Sequence, residues 1–511
     1  MPGRPTPARS SSARPSAPRR NSPGYRGQSR RHSTSRPSSP PVQSDLERAL
    51  DAAADAAAAE TDASDATFAS LGLPNQLVGA LARRGLHAPF AIQTRSIPDA
   101  LAGRDVLGRG ATGSGKTLAF GLPMLTRLLG GARVGGAPRG LVLVPTRELA
   151  QQVHDALAPL AQTLDLKMNA VYGGASMGRQ IDQLRRGIDI VVATPGRLQD
   201  LIEQRECSLA GVQITVLDEA DHMADLGFMP AVTALLDLTP HDAQRLLFSA
   251  TLDRGVDKLV RQYLVDPAIH AVASAESTIT TMDHRVYAVQ HAAKVDIAAE
   301  IAARPGRTLI FVRTKHGADR LALQLRKVGV EAGAIHGNLT QHARKRALEN
   351  FTTGHARVLV ATDVAARGIH VDDVDLVMHY DPPADHKDYL HRSGRTARAG
   401  ASGTVLSFIT SDQVREHQRM RERAGVEASA VSVVAGHPAV RELAESGEPI
   451  VVAPRAPYVA RPQGDRRPSR RPATSGRPTT SGRPTTSGRP TSGSSTYAGR
   501  NPRNPRPARS A

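Results

Sequence analysis

Eight consecutive residues, Gly110-Ala111-Thr112-Gly113-Ser114-Gly115-Lys116-Thr117, have the spacing of a phosphate-binding loop. Glycine at these places lets backbone N–H groups turn toward phosphate oxygens, and the start of a following helix adds positive dipole. Lys116 would reach the β/γ-phosphates of a nucleotide and Thr117 would ligate Mg2+. An accidental glycine-rich turn is the bland alternative; the strand-like residues before the loop and the apolar helical stretch after it argue against that. Further along, Ile214-Thr215-Val216-Leu217 leads into Asp218-Glu219. A carboxylate at the end of a buried strand can hold the Mg2+ shell (Asp218), and its neighbour can orient or deprotonate an attacking water (Glu219). Alone, paired acids after a strand are often only a helix N-terminus. Phosphoryl transfer also needs positive charge on its transition state, and His391-Arg392-Ser393-Gly394-Arg395-Thr396-Ala397-Arg398 supplies arginines far along the chain. They could act there only if two domains close on each other, the alternative being a solvated basic turn.

These residues need a scaffold that brings strand ends together. Val106-Leu107, Leu141 to Val144, Ile190 to Ala193, Ile214 to Leu217 and Leu246 to Phe248 read as buried strands. A second series follows: Leu309 to Val312, Val358 to Ala361, Leu376 to Met378 and Val405 to Phe408. Short apolar runs without alternation suit parallel strands covered on both faces and joined by crossover helices. Two series predict an α/β chain of two doubly wound domains, at 67–275 and 282–430. Nearly every polar motif lies just after one of these strands, where open parallel sheets place their ligands.

The rest of the chain is of another kind. Residues 1–44 hold nine Arg and no acid, and residues 461–511 hold twelve Arg and one acid, Asp465. Those segments outweigh the whole-chain formal charge of +18, so the body between them is close to neutral. Both tails, taken as 1–66 and 431–511, read as disordered and low in complexity. The second carries the repeat Thr-Ser-Gly-Arg-Pro-Thr at 474–479, 480–485 and 486–491, too short and too rich in Gly and Pro for a solenoid. Arg-rich tails predict salt-sensitive, sequence-tolerant nucleic-acid binding; a solubilising appendage is the bland reading. Between the first tail and the body, Asp45 to Asp65 is acidic and Ala-rich, a candidate helix that could fold back on the basic tails. The single Cys207 cannot form an intrachain disulfide, which fits a reducing cytoplasm. No apolar run has the length of a membrane span, and the start lacks the apolar core of a secretory signal.

With those motifs in place, residues 68 to 410 resemble the DEAD-box RNA helicases of superfamily 2, the bacterial RhlE-like type in particular. The phosphate loop and Asp218-Glu219-Ala220-Asp221 match the family's nucleotide motifs. Gly85 to Gln93, ending in Pro89-Phe90-Ala91-Ile92-Gln93, looks like the adenine-reading Q motif. The resemblance implies that Gln93 takes the adenine edges, that Phe68 stacks on the base, and that Gly113, Ser114, Gly115, Lys116 and Thr117 hold the phosphates. It implies that Arg395 and Arg398 are the phosphate-facing fingers. Ser249-Ala250-Thr251 and His391 would couple hydrolysis to strand separation through Asp221. Pro145-Thr146-Arg147-Glu148-Leu149-Ala150, Gly173-Gly174 and Thr194-Pro195-Gly196-Arg197 look like the first domain's RNA-gripping motifs. Arg313, Gln341, Arg344, Thr362, Arg367 and Gly368 look like those of the second. Small residues and helix N-termini with Arg or Thr suit sugar-phosphate rather than base edges.

The resemblance implies an ATP- and Mg2+-dependent, cytoplasmic RNA helicase acting on structured or duplex RNA with little sequence preference. It leaves ribosomal or degradosome-type protein partners open. Two departures stand out: His370 replaces the usual ribose-holding Asp, which predicts weaker or rearranged ribose binding, and Phe90 replaces the usual Thr of the Q motif. Three rivals are weighed against this reading. A DNA helicase of the same superfamily should lack the Q motif and the Ser-Ala-Thr and His-Arg sets. An ATP-gated RNA clamp or annealer would use the Arg-rich tails. A structural protein with a relic loop would not need Lys116, Glu219 and Arg395 together.

Overall fold

A computed structural model describes residues 44–59, 66–111, 113–272, 282–366, 374–397 and 403–447. Most of both basic tails lies outside those residues, as do Thr112, Arg367, Gly368, His370 and Arg398. Among the described residues, fourteen strands alternate with helices: β1 Val106–Arg109, β2 Gly140–Leu143, β3 Met168–Val171, β4 Ile190–Ala193, β5 Ile214–Asp218, β6 Gln244–Ser249 and β7 Ala268–Ala271 come first. Then follow β8 Asp283–Ala288, β9 Thr308–Phe311, β10 Ala332–Ile335, β11 Val358–Ala361, β12 Leu376–His379, β13 Thr404–Ile409 and β14 Ala430–Ser432.

They form two seven-stranded parallel sheets, ordered β3-β4-β2-β5-β6-β1-β7 and β10-β11-β9-β12-β13-β8-β14. Each strand buries alternate side chains on opposite faces. Val142, Val192, Val216 and Leu246 join one apolar layer, and Leu141, Leu143, Val191 and Leu217 join the layer behind. The second sheet repeats this, with Ile310, Val360 and Met378 on one face and Leu309, Leu359 and Val377 on the other. Burial on both faces is why these strands read as unbroken apolar runs. At about 25 cal/mol per Å2 of apolar surface removed from water, such two-faced layers are the main source of stability.

The packed structure extends past both expected limits of the body. Asp45–Ala59 is a helix, and Leu46, Leu50, Ala53 and Ala54 make one stripe of it. That stripe packs on the first domain's apolar layer against edge strand β7, with Leu50 fully buried. The acidic segment thus covers a sheet, and Asp51 pairs with Arg109 at 2.7 Å. At the other end, β14 lies beyond β8, and Val433, Val440 and Leu443 join the second domain's core. The helix Pro438–Glu445 carries the last two, so a tail boundary at residue 430 would cut through packed structure. Among the described residues, no helix is long and apolar enough to cross a membrane.

Candidate active site and nucleic-acid interface

The C-terminal ends of the first sheet's strands divide the motifs in two. The neighbours β5, β6 and β1 carry Asp218-Glu219, Ser249 and the glycine loop, while β3, β4 and β2 carry Gly173-Gly174, Thr194 to Arg197 and Pro145 to Arg147. The division falls between β2 and β5, in a sheet whose strand order doubles back, the place where doubly wound folds open a crevice.

The glycine loop follows β1 and ends on the helix Lys116–Arg127. Gly115 has φ +92°, and a Cβ there would lie 2.4 Å from Gln93 Nε2 and 2.6 Å from Phe90 Cδ2, so no side chain fits. Lys116 is buried, and its ammonium donates to the carbonyls of Gly110 at 2.7 Å and Ala111 at 3.3 Å. Those backbone bonds hold the charge at the mouth of the loop. Gln93 has both ends of its amide engaged within the protein. Its Nε2 donates to Gly115 O at 2.9 Å, and its Oε1 accepts from Phe90 N at 2.9 Å. Gln93 therefore ties the helix Ala91–Leu101 to the phosphate loop with one of its two N–H groups and one of its two carbonyl lone pairs. Phe68 is only 3% exposed and sits in the first-domain core with Leu73 and Leu77. The exposed aromatic beside the loop is Phe90, at 54%.

Asp218 ends β5, and Glu219 adopts φ +53°, a left-handed turn rare for a side chain with a Cβ. That turn starts the short helix Ala220–Asp225 and sets three acids close together in buried surroundings. Burial pushes the Asp218 carboxyl up to about 7, against the pull of Lys116. Asp221 is buried too, but the charges of His222 and His391 outweigh that burial and hold it below the usual range. Its Oδ2 accepts from Thr251 N and Thr251 Oγ1, both at 2.9 Å. Ser249 Oγ accepts from Asp221 N at 3.3 Å and donates to Thr251 O at 2.8 Å. The side chain of Asp221 is thus committed to the loop after β6. Glu219 pairs with His222, its Oε2 lying 2.7 Å from Nδ1. Nothing in the sequence reading singled out His222; its place one residue after Asp221 was the available signal.

Across the domain boundary, His391 on the helix His386–Ser393 meets His222 edge to face, with ring centroids 5.0 Å apart. Arg392 does not reach for the site. It is buried and grips Asp363 through Nε and Nη2, and donates to Asp381 O at 2.7 Å. Arg395 lines a small cavity with Phe311, Asp363, Ala366, Asp388, His391 and Arg392, all of the second domain.

The other half of the rim is built on helix starts. Thr146 caps the helix Arg147–Gln162 by accepting from Leu149 N at 3.2 Å, and Thr314 caps Lys315–Lys327 by accepting from Gly317 N at 3.0 Å. Gly174, at φ +82°, lets Arg147 lie across it; a Cβ there would sit 2.3 Å from Nη1. Thr194 precedes the helix Pro195–Glu203, whose Gly196 has open space where a Cβ would go. Arg197 leans on Gln180 Oε1 at 3.2 Å. In the second domain Arg313 N donates to Asp381 Oδ2 at 2.8 Å, and Thr362 leads into the helix Asp363–Ala366. Gln341 and Arg344 face the first domain. Arg344 Nε donates to Glu148 Oε1 at 2.8 Å and Gln341 Nε2 to the same oxygen at 3.2 Å. Glu148, which the sequence placed in the Pro145 to Ala150 motif without a role of its own, is therefore the residue through which these two touch the other domain.

Two family models match in chain order: DEAD/DEAH box helicase over residues 90–259 and helicase conserved C-terminal domain over 293–400. The RNA helicase CrhR of Synechocystis is 41% identical over 352 residues, covering 68% of this chain and 71% of that protein. The chain belongs to the DEAD-box RNA helicases. A chloroplastic DEAD-box ATP-dependent RNA helicase, 3A of Zea mays, is 40% identical over 402 residues, 77% of this chain and 53% of that relative. This DEAD-box chain thus spans about half the length of the maize relatives it matches. Among solved structures, S. cerevisiae Dbp5 bound to RNA and ADP BeF3 aligns with a TM-score of 0.66 at 28% identity, over 74% of this chain and 98% of that one. Mss116p bound to ssRNA and AMP-PNP aligns with a TM-score of 0.65 at 25% identity, over 76% and 84%. Both sheets of this DEAD-box chain are thereby RecA-like domains in tandem.

Proposed function

We propose that the chain is an ATP-dependent RNA helicase that remodels short duplexes by closing its two domains around one strand. The observation that carries this reading is the contact of His391 with His222 beside the DEAD box. It puts the second domain in touch with the carboxylates that would serve hydrolysis. In this reading Glu219 positions and deprotonates the attacking water, and Lys116 steadies the outer phosphates. Asp221, locked to Ser249 and Thr251, carries the state of the site to the β6 loop. Arg395 and Arg398 complete the charge around the transferred group on closure.

The site fits a magnesium–nucleotide pair. Its loop excludes a side chain at Gly115, and it holds a buried carboxylate, Asp218, whose charge a cation would stabilise. Thr117 and Asp218 would hold the Mg2+, which would offset charge on the phosphate oxygens. RNA would lie on the β3-β4-β2 rim and its β10-β11-β9 counterpart, held by backbone contacts from Thr146, Arg147, Gly174, Arg197, Arg313 and Thr362. Arg367 and Gly368 would add to it. We place this activity in the cytoplasm, on structured RNA with little sequence preference, with ribosomal or degradosome-type proteins as candidate partners. Glu219→Gln tests the assignment: RNA-stimulated ATP hydrolysis should fall by at least about 100-fold while binding of a non-hydrolysable analogue persists. Hydrolysis at the parent rate would sink it.

A further inference from the structure

The contact of His391 with His222 belongs to a cluster beside the hydrolytic residues that offers more than the contact itself. His222, Asp225 and His391 each offer a ligand atom, and these atoms lie within 4.8 Å of one another. We propose that they form a site for one divalent transition-metal ion of the zinc class, bridging the two domains. The ligand set favours that class: two imidazoles and one carboxylate suit zinc, cobalt or nickel, whereas magnesium prefers oxygen ligands alone. Three protein ligands also leave one position open for water. Ligand atoms around a tetrahedral zinc with bonds of about 2.0–2.1 Å stand roughly 3.3 Å apart, so side-chain adjustments of about an ångström would complete the shell.

A second, independent feature points to a ligand. His222 is buried at 3% exposure, and its Nε2 has no hydrogen-bond partner among the described residues. Leaving a buried imidazole nitrogen unsatisfied costs about 1–3 kcal/mol, so the site must gain from it elsewhere. Glu219 accepts from Nδ1–H of that ring at 2.7 Å, so in the neutral imidazole, the form that binds a metal, the lone pair is on Nε2. Carboxylate, imidazole and metal in line is the usual support of a zinc-bound histidine. Asp225 is exposed, which gives an ion a path inward.

The consequence is regulatory. Two ligands come from the first domain and one from the second, so the complete shell exists only with the domains together. By linkage, an ion that binds this arrangement better than the open one favours it in return. It also makes Nδ1–H a stronger donor and holds Glu219 on the imidazole, away from any attacking water. The ion should therefore inhibit turnover even under saturating magnesium. Binding stands apart from the proposed ATPase reading; only the inhibition rests on it.

The test uses the full-length chain with Co2+ as the probe, in excess Mg2+. One equivalent of Co2+ should give visible d–d bands that Zn2+ abolishes, and cobalt-edge scattering should show imidazole. In His222→Gln and in Asp225→Asn the bands should vanish or need at least about tenfold more Co2+, which is 1.4 kcal/mol of binding. Zn2+ should slow RNA-stimulated hydrolysis in the parent and lose that effect in both variants. No stoichiometric band, no imidazole scattering, or bands unchanged in both variants would overturn the site. Scattering from the parent decides the matter even if the variants do not fold. Bands lost in folded variants support the site even if the chain hydrolyses no ATP.

Discussion

Counted from its own first strand, each sheet has the same spatial order, and in each a lysine opens the helix after that strand: Lys116 after β1 and Lys294 after β8. An aspartate stands at the corresponding strand two places across, Asp218 at the end of β5 and Asp381 just past β12. Yet the two pairs do different things. Lys116 follows a glycine loop, binds its carbonyls and leaves Asp218 without a direct ion pair to it. Lys294 follows Gln290 to Ala293, a single 3-10 turn with no glycine, and its ammonium closes on Asp381 at 3.2 Å and over the Tyr380 ring at 4.3 Å. Burial lowers the Lys294 pKa against the pull of Asp381. Asp381 in turn holds Arg313 and Arg392. The same fold position thus holds open charge where the loop is wide and an internal clasp where it is narrow. Loop composition, not topology, decides which domain can take a triphosphate.

Breaking each lysine should separate these roles. Lys116→Ala should cut ATP turnover by about 100- to 1,000-fold and leave unfolding free energy nearly unchanged. Lys294→Ala should do the opposite: a loss of about 1–3 kcal/mol on urea unfolding, because Asp381 loses its cation, with affinity for a fluorescent ATP analogue close to the parent's. Equal loss of nucleotide affinity in both variants would erase the distinction.

The clasp between domains is the next largest effect. Glu148 and Arg344 are both buried where they meet. Arg344→Ala strands that carboxylate and should cost about 3 kcal/mol of the closed arrangement, read as a lower closed fraction by interdomain fluorescence transfer. An unchanged closed fraction would show that the pair does not hold the domains.

A smaller effect should differ in sign between the domains. Asp218 has its carboxyl pushed up to about 7 by burial, from 3.8. Between those values the folded chain keeps a proton that the unfolded chain has lost, so stability falls as pH rises through the window. Asp218→Asn should then stabilise the ligand-free protein relative to the parent, increasingly from about pH 4 to about pH 7, by at most ~1.4 kcal/mol per pH unit. His417 is held down to about 4, by burial first and then by Arg421. There the unfolded chain takes up a proton that the folded one refuses, so stability is lost as pH falls from 6.5 toward 4. His417→Gln should therefore regain ground on the parent from about pH 7 to about pH 5. Parallel slopes in the two variants would contradict both assignments.

The nine strands legible in the sequence are those whose residues are almost all buried, such as β2, β4, β5 and β11. The five that were not legible lie at or next to a sheet edge: β3, β7, β10 and β14 are the outer strands, and β8 adjoins β14. Edge strands have one flank without a partner and carry half-exposed or polar residues, as Asn169, His270 and Ser432 do. Their apolar signal is diluted for the same reason that they end the sheet. The site divides similarly. Glycine spacing and acids after a strand announced the phosphate loop and Asp218 to Asp221, because their chemistry depends on local backbone. The interdomain role of Glu148, and His222 and the Lys294–Asp381 clasp altogether, went unread, because each acquires meaning from a partner distant in sequence or from a buried neighbour.

The sequence by itself determined the family, the two parallel-sheet domains and the order of the motifs along them, since local spacing and apolar runs encode strand, loop and helix start. Only the tertiary structure decided which polar groups meet. It turned Gln93 onto the phosphate loop, put Phe68 in the core and Phe90 at the entrance, and laid the acidic N-terminal helix on β7. It also set His391 against His222. The reason is physical: a side chain's role follows from its burial and its nearest charges, and both are properties of the packed chain rather than of neighbours in sequence.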